Sequence, residues 1–162
     1  MISASVAVLL IVTLQRLVEL WVSNVNTGRL VARGAHEAGR SHYPLIVGLH
    51  VAWLAALWWW APGREIDSPL LLAFALLQLG RLWVIATLGA RWTTRIIVLP
   101  DAPLVRNGPY RFVSHPNYMI VIAEIALLPL VFGLWPIALV FTLLNAAVLA
   151  IRIREENRAL RG

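Results

Sequence analysis

Apolar and polar positions follow one another along this chain in long blocks, with five apolar stretches separated by polar connections. An α-helix rises 1.5 Å per residue, so about 20 apolar residues cross the roughly 30 Å hydrocarbon core of a bilayer. The pattern predicts an all-α, polytopic integral membrane protein with five transmembrane helices in a single membrane-embedded domain, residues 1–162. The predicted spans are residues 2–22, 42–61, 68–88, 117–132 and 135–151.

The polar connections differ in length. Residues 23–41 form a polar connection with three arginines, and residues 89–117 form the longest one. We expect the longest connection to be functional, because long irregular segments in compact proteins usually are. Its β-branched run predicts a short strand at 95–99, which pairs with residues 103–106 through a turn at 100–103.

The arginines are distributed unevenly among the connections. The 23–41 and 89–117 connections and the tail from Arg152 onward hold nearly all of them, whereas the links near residues 64 and 134 hold one. By the positive-inside rule, we expect the N-terminus outside and the C-terminus in the cytosol. The first apolar block lacks the basic start of a signal peptide, so we interpret it as a retained span.

Composition supports a membrane protein and excludes several kinds of chemistry. The chain of 162 residues is 60% hydrophobic, which is more apolar surface than a soluble domain of this size can bury. The net charge is +6, but the arginines between apolar blocks indicate topology and contacts with membrane lipids rather than nucleic acid. Because the chain has no cysteine, disulfides, thiolate metal ligands and a cysteine nucleophile are excluded, and no metal site is predicted.

Several ionisable side chains lie within the predicted spans, where a charge needs a partner or an aqueous cavity. Arg16 and Glu19 are three residues apart on one helical face, so we interpret them as a structural pair. Arg81 either pairs with Glu19 or lines a cavity. His50 is more typical of a packing residue than of a ligand.

Glu124 lies inside the fourth predicted span, where a free carboxylate is expensive. One hypothesis makes it a catalytic base, because a desolvated glutamate suits removal of the proton from a hydroxyl group. The alternative is a buried ion pair with Arg81, Arg16 or His50. Both hypotheses remain open from the sequence.

Residues 105–118 are the densest cluster of polar and aromatic groups in the chain. Gly108-Pro109 indicates a turn, and His115 before Pro116 indicates the start of a helix. The free N–H groups of that helix start, together with Arg111, would favour an anionic or carboxylate-bearing ligand.

The wording GPYRFVSHPNY in this segment resembles the cofactor-binding motif of the isoprenylcysteine carboxyl methyltransferase family of membrane enzymes, with Ser114 where arginine is usual. A second block, RIREENRAL, resembles the C-terminal motif of the same family. Its spacing places Arg152, Glu156 and Leu160 on the motif positions, with Asn157 in place of the second glutamate.

The resemblance implies an S-adenosylmethionine-dependent O-methyltransferase with a cytosolic cofactor pocket, built from the 89–118 connection and the C-terminal helix. It implies that Glu156 binds the amino group or ribose of the donor, and that Arg152 is catalytic and holds the acceptor oxygen. The other residues expected around the donor are Tyr110, Arg111, His115, Asn117 and Tyr118.

The acceptor implied by this resemblance is a lipophilic small molecule that enters from the bilayer. HPNY followed by an apolar span with an internal glutamate is also similar to a bacterial branch of the family that O-methylates long-chain alkylpyrones and alkylresorcinols. This similarity implies a location in the bacterial inner membrane. Two other functional classes remain as alternatives to a methyltransferase. The membrane sterol reductases have a similar segment, RHPNY, which contacts NADPH, where this chain reads SHPNY. A non-catalytic membrane subunit would instead use its arginines to bind a partner or anionic lipid.

Overall fold

The computed structural model describes residues 3–100 and 102–161, and at residues 157, 160 and 161 it describes the backbone alone. The predicted start of the first span at Ile2 and residue Asp101 of the predicted turn therefore lie outside the described residues. The side chains of Asn157 and Leu160 lie outside them as well.

Five α-helices account for most of the described chain. They are α1 (Ala4–Val31), α2 (Tyr43–Trp60), α3 (Ser68–Leu88), α4 (Pro116–Val131) and α5 (Trp135–Arg161). Among the described residues, four helices are long and apolar enough to cross a membrane. They are α1, α2, α3 and α5. The helix α4 is apolar but shorter, at 16 residues. The prediction of an all-helical membrane fold is confirmed, with four candidate spans.

The helix starts follow from local sequence. Ser3 caps α1 with its hydroxyl, and the carboxylate of Asp67 accepts a hydrogen bond of 2.9 Å from the backbone N–H of Leu70 at the start of α3. Proline occupies the first turn of α2, α3 and α4, where no intrahelical N–H is needed. His115 is the N-cap residue of α4 with Pro116 as its first residue, which confirms the predicted helix start.

The helix α1 continues beyond its predicted end at residue 22 and stops at Val31. The polar connection predicted at residues 23–41 is therefore helical over residues 23–31. Ser23 and Asn26 are buried there, and Asn26 donates hydrogen bonds of 2.8 Å and 3.2 Å to the backbone oxygens of Trp92 and Gly89. Polar residues extend this helix because a distant segment of the chain satisfies them.

A two-stranded antiparallel sheet joins the two arginine-rich connections. The strand β1 (His36–Ala38) pairs with β2 (Ile96–Val98), and His36 lies opposite Val98. The strand at 95–99 is confirmed in its central residues, but its predicted partner is wrong, since residues 103–106 adopt no regular structure. The carboxylate of Glu37 accepts hydrogen bonds of 2.9 Å and 3.1 Å from Arg95, which ties the real partner to β2.

Contacts between connections define the two ends of the helix bundle. At one end, the backbone N–H of Asp67 donates to the oxygen of Val131 at 2.9 Å, and the N–H of Gly63 donates to the hydroxyl of Ser5 at 3.0 Å. The β1–β2 sheet lies at the opposite end. Successive helices therefore run in alternating directions, and the two motifs lie at the sheet end.

The apolar core lies toward the end opposite the sheet. Its largest enclosed side chains come from the first half of α1, the second half of α2 and the second half of α4, with Phe74 from α3. Large apolar side chains also point outward along the helices, for example Ile11, Trp59 and Leu72. That outer surface is the one a bilayer would cover.

Candidate active site

The first motif forms a tight turn under the end of α3. Gly108 has φ 55°, and a side chain there would place its Cβ 2.5 Å from the hydroxyl oxygen of Thr87. Only glycine fits this position. The turn continues as a 3₁₀ helix, Gly108–Arg111, in which Pro109 is buried and Tyr110 is half-buried.

Tyr110 borders a cavity of about 140 Å³, the polar cavity, which β2 and the segment before it close on one side. Burial, with the nearby charge of Glu156, raises the pKa of Tyr110 to about 12, so its hydroxyl stays protonated near neutral pH and can donate a hydrogen bond. Six residues predicted from the two motifs line this cavity. They are Tyr110, His115, Asn117, Tyr118, Arg152 and Glu156.

Four of these side chains form one connected cluster. The hydroxyl of Tyr118 donates to the Glu156 carboxylate and accepts a hydrogen bond of 2.8 Å from Nε of Arg152. The His115 ring stacks on that of Tyr118 with the centroids 5.3 Å apart, and its Nδ1 lies 3.9 Å from Oε1 of Glu156. The cluster connects the start of α4 to the last turns of α5, so the two motifs meet in space.

Arg111 does not reach the polar cavity. Its side chain is exposed, and neither Arg111 nor Arg106 lines the cavity. Successive residues of a 3₁₀ turn point about 120° apart, so a turn that directs Tyr110 inward directs Arg111 away. Arg111 therefore lies outside the polar cavity, and its contact with the donor stays a prediction.

Two other arginines add positive charge to the polar cavity beside Arg152. Arg91 and Arg95 both line it. Arg91 donates a hydrogen bond of 2.8 Å to the backbone oxygen of Pro103, and the Arg95 guanidinium lies 4.3 Å from the ring centroid of Tyr43. Neither arginine was predicted as a site residue, because both lie outside the two motifs, although the polar run RWTTR inside the longest connection is a signal for them.

A second cavity, of about 210 Å³, lies between α1 and α2, and we call it the apolar cavity. Leu17 and Leu20 of α1 and Val47 and Val51 of α2 are among its lining residues. Leu17 is 58% exposed and Val51 is 63% exposed, so the cavity opens through the side of the bundle. The opening faces the surface that lipid would cover.

The two cavities share a wall. The residues that line both are Trp92, Thr93, Asn117, Tyr118 and Arg152. Nη2 of Arg152 donates a hydrogen bond of 2.7 Å to the oxygen of Thr94, while its Nη1 has no hydrogen-bond partner among the described residues. Oδ1 of Asn117 and Nε1 of Trp92 are also buried, and neither has a hydrogen-bond partner among the described residues. Such groups at a shared wall are available to a ligand.

An ion-pair network lies beside the apolar cavity, deeper in the bundle. Arg81 donates to both carboxylate oxygens of Glu19 at 2.6 Å, and its Nη1 lies 2.9 Å from Oε2 of Glu124. Arg16 bridges the same two carboxylates, at 2.8 Å to Glu19 and 3.0 Å to Glu124. Arg81 also lines the cavity, so both alternatives left open by the sequence apply to it.

Glu124 is 2% exposed and its two carboxylate oxygens are both occupied. Oε2 contacts Arg16 and Arg81, and Oε1 accepts a hydrogen bond of 2.8 Å from Gln78. Glu124 lines neither cavity. The geometry favours the ion-pair hypothesis, and the catalytic-base hypothesis stays a prediction.

The sequence of this chain is similar to a known protein family and to known bacterial proteins. The family model described as the isoprenylcysteine carboxyl methyltransferase (ICMT) family matches residues 70–162, which contain both motifs. The Bacillus subtilis protein YpbQ, described as uncharacterized, is 36% identical over 163 residues, covering 93% of this chain and 92% of its own. An uncharacterized protein of Haemophilus influenzae is 30% identical over 151 residues, covering 90% of this chain and 88% of its own. No solved structure matches the chain. This chain therefore belongs to the isoprenylcysteine carboxyl methyltransferase family of membrane methyltransferases.

Proposed function

We propose that this protein transfers a methyl group from S-adenosylmethionine to an oxygen, of a hydroxyl or a carboxylate, on a lipophilic molecule dissolved in the membrane. The observation that carries the proposal is the wall shared by the polar and the apolar cavity. Tyr118 and Arg152 lie in this wall. A water-soluble donor and a lipid-soluble acceptor need separate entrances that meet at one point. The two cavities offer that arrangement.

The polar cavity has the groups that such a donor requires. When bound, S-adenosylmethionine supplies an electrophilic methyl group. The carboxylate of Glu156 suits the donor's ammonium group, and the guanidinium groups of Arg91 and Arg95 suit its carboxylate. Oδ1 of Asn117, buried without a partner among the described residues, can accept a hydrogen bond from the donor's hydroxyl or amino groups.

Arg152 is the residue best placed to act on the acceptor. Its Nε and Nη2 are held by Tyr118 and Thr94, so the guanidinium is fixed before any substrate arrives. Its Nη1, which has no hydrogen-bond partner among the described residues, can bind the acceptor oxygen and orient it toward the polar cavity. Fixed donors act on a reacting oxygen without reorganisation, and this preorganisation contributes strongly to catalysis.

We also propose that α4 crosses the membrane, which gives five spans. It begins at the cluster beneath the sheet and ends at Val131, whose oxygen binds the N–H of Asp67 at the other end of the bundle. The placement of arginines then supports an N-terminus outside and a polar cavity in the cytosol, in a bacterial inner membrane. The donor would come from the cytosol and the acceptor sideways from the bilayer.

Binding of the donor to detergent-purified protein tests the proposal. We expect S-adenosylmethionine to raise the melting temperature in a saturable manner, because a ligand of the native state stabilises it by mass action. Glu156→Gln should weaken this binding by roughly tenfold or more, since it removes the charge that faces the ammonium group. Glu155→Gln is the matched control, because Glu155 pairs with Arg158 and lies outside the polar cavity.

The same titration with NADPH separates the alternatives. Binding of NADPH without binding of S-adenosylmethionine would contradict the proposal and favour a reductase of the sterol-reductase type. A folded protein that binds neither compound would be assigned to the non-catalytic membrane subunits. If the Glu155→Gln and Glu156→Gln variants bound S-adenosylmethionine with equal affinity, the donor site would not be the polar cavity.

A further inference from the structure

The backbone oxygen that holds Arg152 belongs to an irregular segment of the chain. Nη2 of Arg152 donates to the oxygen of Thr94 at 2.7 Å, and Thr94 lies between the 3₁₀ turn Gly89–Arg91 and the start of β2. Residues 92–95 form neither helix nor strand, so the position of this oxygen does not follow from a regular element. A peptide group in such a segment is held in place only where side chains supply its partners.

Two helices hold Thr94 through hydroxyl groups. From α1, Oγ of Ser23 accepts a hydrogen bond of 2.8 Å from the backbone N–H of Thr94 and also lies 2.8 Å from its Oγ1. From α2, the hydroxyl of Tyr43 lies 3.1 Å from the same Oγ1. Ser23 is fully buried, so water does not compete for its hydrogen bonds. Thr94 is therefore attached to both helices that border the opening of the apolar cavity.

Asn26 extends the attachment to the residues before Thr94. It lies three residues after Ser23 on α1, so the two side chains share a face of that helix. Asn26 donates to the backbone oxygens of Gly89 and Trp92 at 3.2 Å and 2.8 Å. The part of α1 beyond its predicted end therefore holds the segment from which Arg152 takes its partner.

These hydroxyl groups lie on the acceptor side of the shared wall. Thr94 and Tyr43 line the apolar cavity but not the polar cavity, and Ser23 lines neither. A change in any of them acts on Arg152 through the Thr94 oxygen and removes no group that we assign to the donor. Its effect on turnover can therefore be separated from an effect on donor binding.

We infer that Thr94, together with Ser23 and Tyr43, positions the guanidinium of Arg152 for methyl transfer. The hydroxyl groups fix the Thr94 oxygen, and this oxygen fixes Nη2. Because the guanidinium is planar and rigid, fixing Nε and Nη2 also fixes the direction of Nη1, which faces the acceptor oxygen. The three are positioning residues, since they act through Arg152. The inference rests on the proposed methyl transfer and extends the site to α1 and α2, which carry neither motif.

Two substitutions of Thr94 test the role of its hydroxyl. Thr94→Val keeps the shape of the side chain and removes Oγ1, whereas Thr94→Ser keeps the hydroxyl. We expect Thr94→Val to lower kcat per folded molecule by roughly tenfold, because a small displacement of a fixed donor has a large effect on the rate. Thr94→Ser should stay within about threefold of wild type, and the donor Kd of both variants within about twofold, since the polar cavity is unchanged.

The assay uses two acceptor probes, pentadecylresorcinol with a hydroxyl and S-farnesylcysteine with a carboxylate, and kcat is measured with the one that the wild type methylates. Thr27→Val is the matched control on α1. The hydroxyl of Thr27 is buried without a partner among the described residues, and Thr27 lines neither cavity. Its loss should leave kcat within a factor of about two.

Tyr43→Phe provides an independent test if Thr94→Val does not fold. It removes one hydroxyl that binds Thr94 and keeps the ring against which the Arg95 guanidinium packs. We expect kcat to fall by about threefold, less than for Thr94→Val, because the two bonds from Ser23 remain.

A double substitution separates positioning from a general loss of structure. In Arg152→Lys, one ammonium group cannot hold the Thr94 oxygen and the acceptor oxygen in a fixed plane, so the position of Thr94 no longer directs the donor. Thr94→Val should therefore lower kcat of the Arg152→Lys protein by about twofold at most, compared with roughly tenfold in the wild type. A purely structural effect would lower both by the same factor.

The guanidinium can also be observed without an acceptor, by nitrogen NMR of protein that contains isotope-labelled arginine. A hydrogen bond at Nη2 slows rotation about the Nε–Cζ bond, so the two Nη signals of Arg152 are separate, and their loss in Arg152→Lys identifies them. We expect separate signals in the wild type, Thr94→Ser and Thr27→Val, and a single merged signal in Thr94→Val.

The outcomes distinguish this inference from the function on which it rests. Unchanged Nη signals in a folded Thr94→Val variant, or an equal loss of kcat in Thr94→Val and Thr94→Ser, would overturn the positioning role. A tenfold effect of Thr94→Val that persists in Arg152→Lys would overturn it as well. If the wild type methylates neither probe, the Nη signals decide the positioning role. Failure of the wild type to bind S-adenosylmethionine would instead remove the proposed function itself.

Discussion

At the end of the bundle near residues 61–67, the helices bury apolar side chains against one another, as Leu9, Leu57 and Leu128 show. At the sheet end, the same helices enclose two cavities, and Asn117 and Trp92 keep buried polar atoms without partners in the described chain. The packed half has the features of a stable scaffold, whereas the cavity half has those of a binding site.

The boundary between the two halves is the ion-pair network of Arg16, Glu19, Arg81 and Glu124. It connects α1, α3 and α4 beside the apolar cavity. Two arginines and two carboxylates cancel each other's charge, so the network can be buried. Polar groups inside the bundle therefore occur in two settings. The charged groups of the network bind one another and connect three helices, whereas Asn117 and Trp92 have atoms without a partner among the described residues at the wall shared by the two cavities.

The largest effect is expected in the cavity half. Arg152→Lys keeps a positive charge but cannot bind Tyr118, Thr94 and an acceptor oxygen in one plane. We expect kcat to fall by about 10²–10³-fold, the usual loss when one fixed donor to a reacting oxygen is removed. A methyl-transfer assay with a lipophilic acceptor measures kcat, and the melting temperature shows whether the variant is folded.

The matched control for this change is Arg154→Lys. Arg154 lies half a turn away on α5 and its side chain is exposed. Its replacement should leave kcat within a factor of about two, because exposed charges contribute little. Similar kcat values for the two variants would mean that the shared wall is not the place of methyl transfer.

In the packed half, we expect a substitution to lower stability and to leave activity unchanged. Leu57→Ala removes a side chain that is fully enclosed in the core, and we expect a loss of about 2–4 kcal/mol in the free energy of unfolding. Activity per folded molecule should stay unchanged, because Leu57 lines neither cavity. Unfolding in detergent measures the first quantity and turnover the second.

The exposed Leu45 on the same helix provides the control, since Leu45→Ala creates no cavity in the core. A Leu57→Ala protein that lost turnover without losing stability would show that the two halves are not separable.

The sequence was sufficient where a single helix or a short motif decides the structure. Apolar blocks placed α2 and α3 to within a residue at each end, because in a bilayer the length of the apolar run is the main constraint. The start of α4 at His115-Pro116 was predictable because proline fixes its own φ and restricts the residue before it.

What the sequence could not provide depends on contacts between distant residues. Asn26 continues α1 because it binds the backbone of Trp92, and β2 pairs with β1 rather than with its neighbour. The orientation of the 3₁₀ turn directs Arg111 away from the polar cavity, and Arg91 and Arg95 line it from another segment. None of these contacts has a periodic signal along the chain.

The smallest effect, and the sharpest test of the boundary, concerns Glu124. Glu124→Gln keeps the shape and removes the charge, while Arg16 and Arg81 both retain Glu19. As a member of the ion-pair network, it should cost about 1–3 kcal/mol in the free energy of unfolding, with turnover per folded molecule within a few-fold of wild type. The exposed Glu65→Gln serves as the control. The catalytic-base hypothesis predicts the opposite result, in which turnover is abolished while donor binding and stability are retained. That result would move Glu124 from the scaffold to the site, and with it the boundary between the two halves.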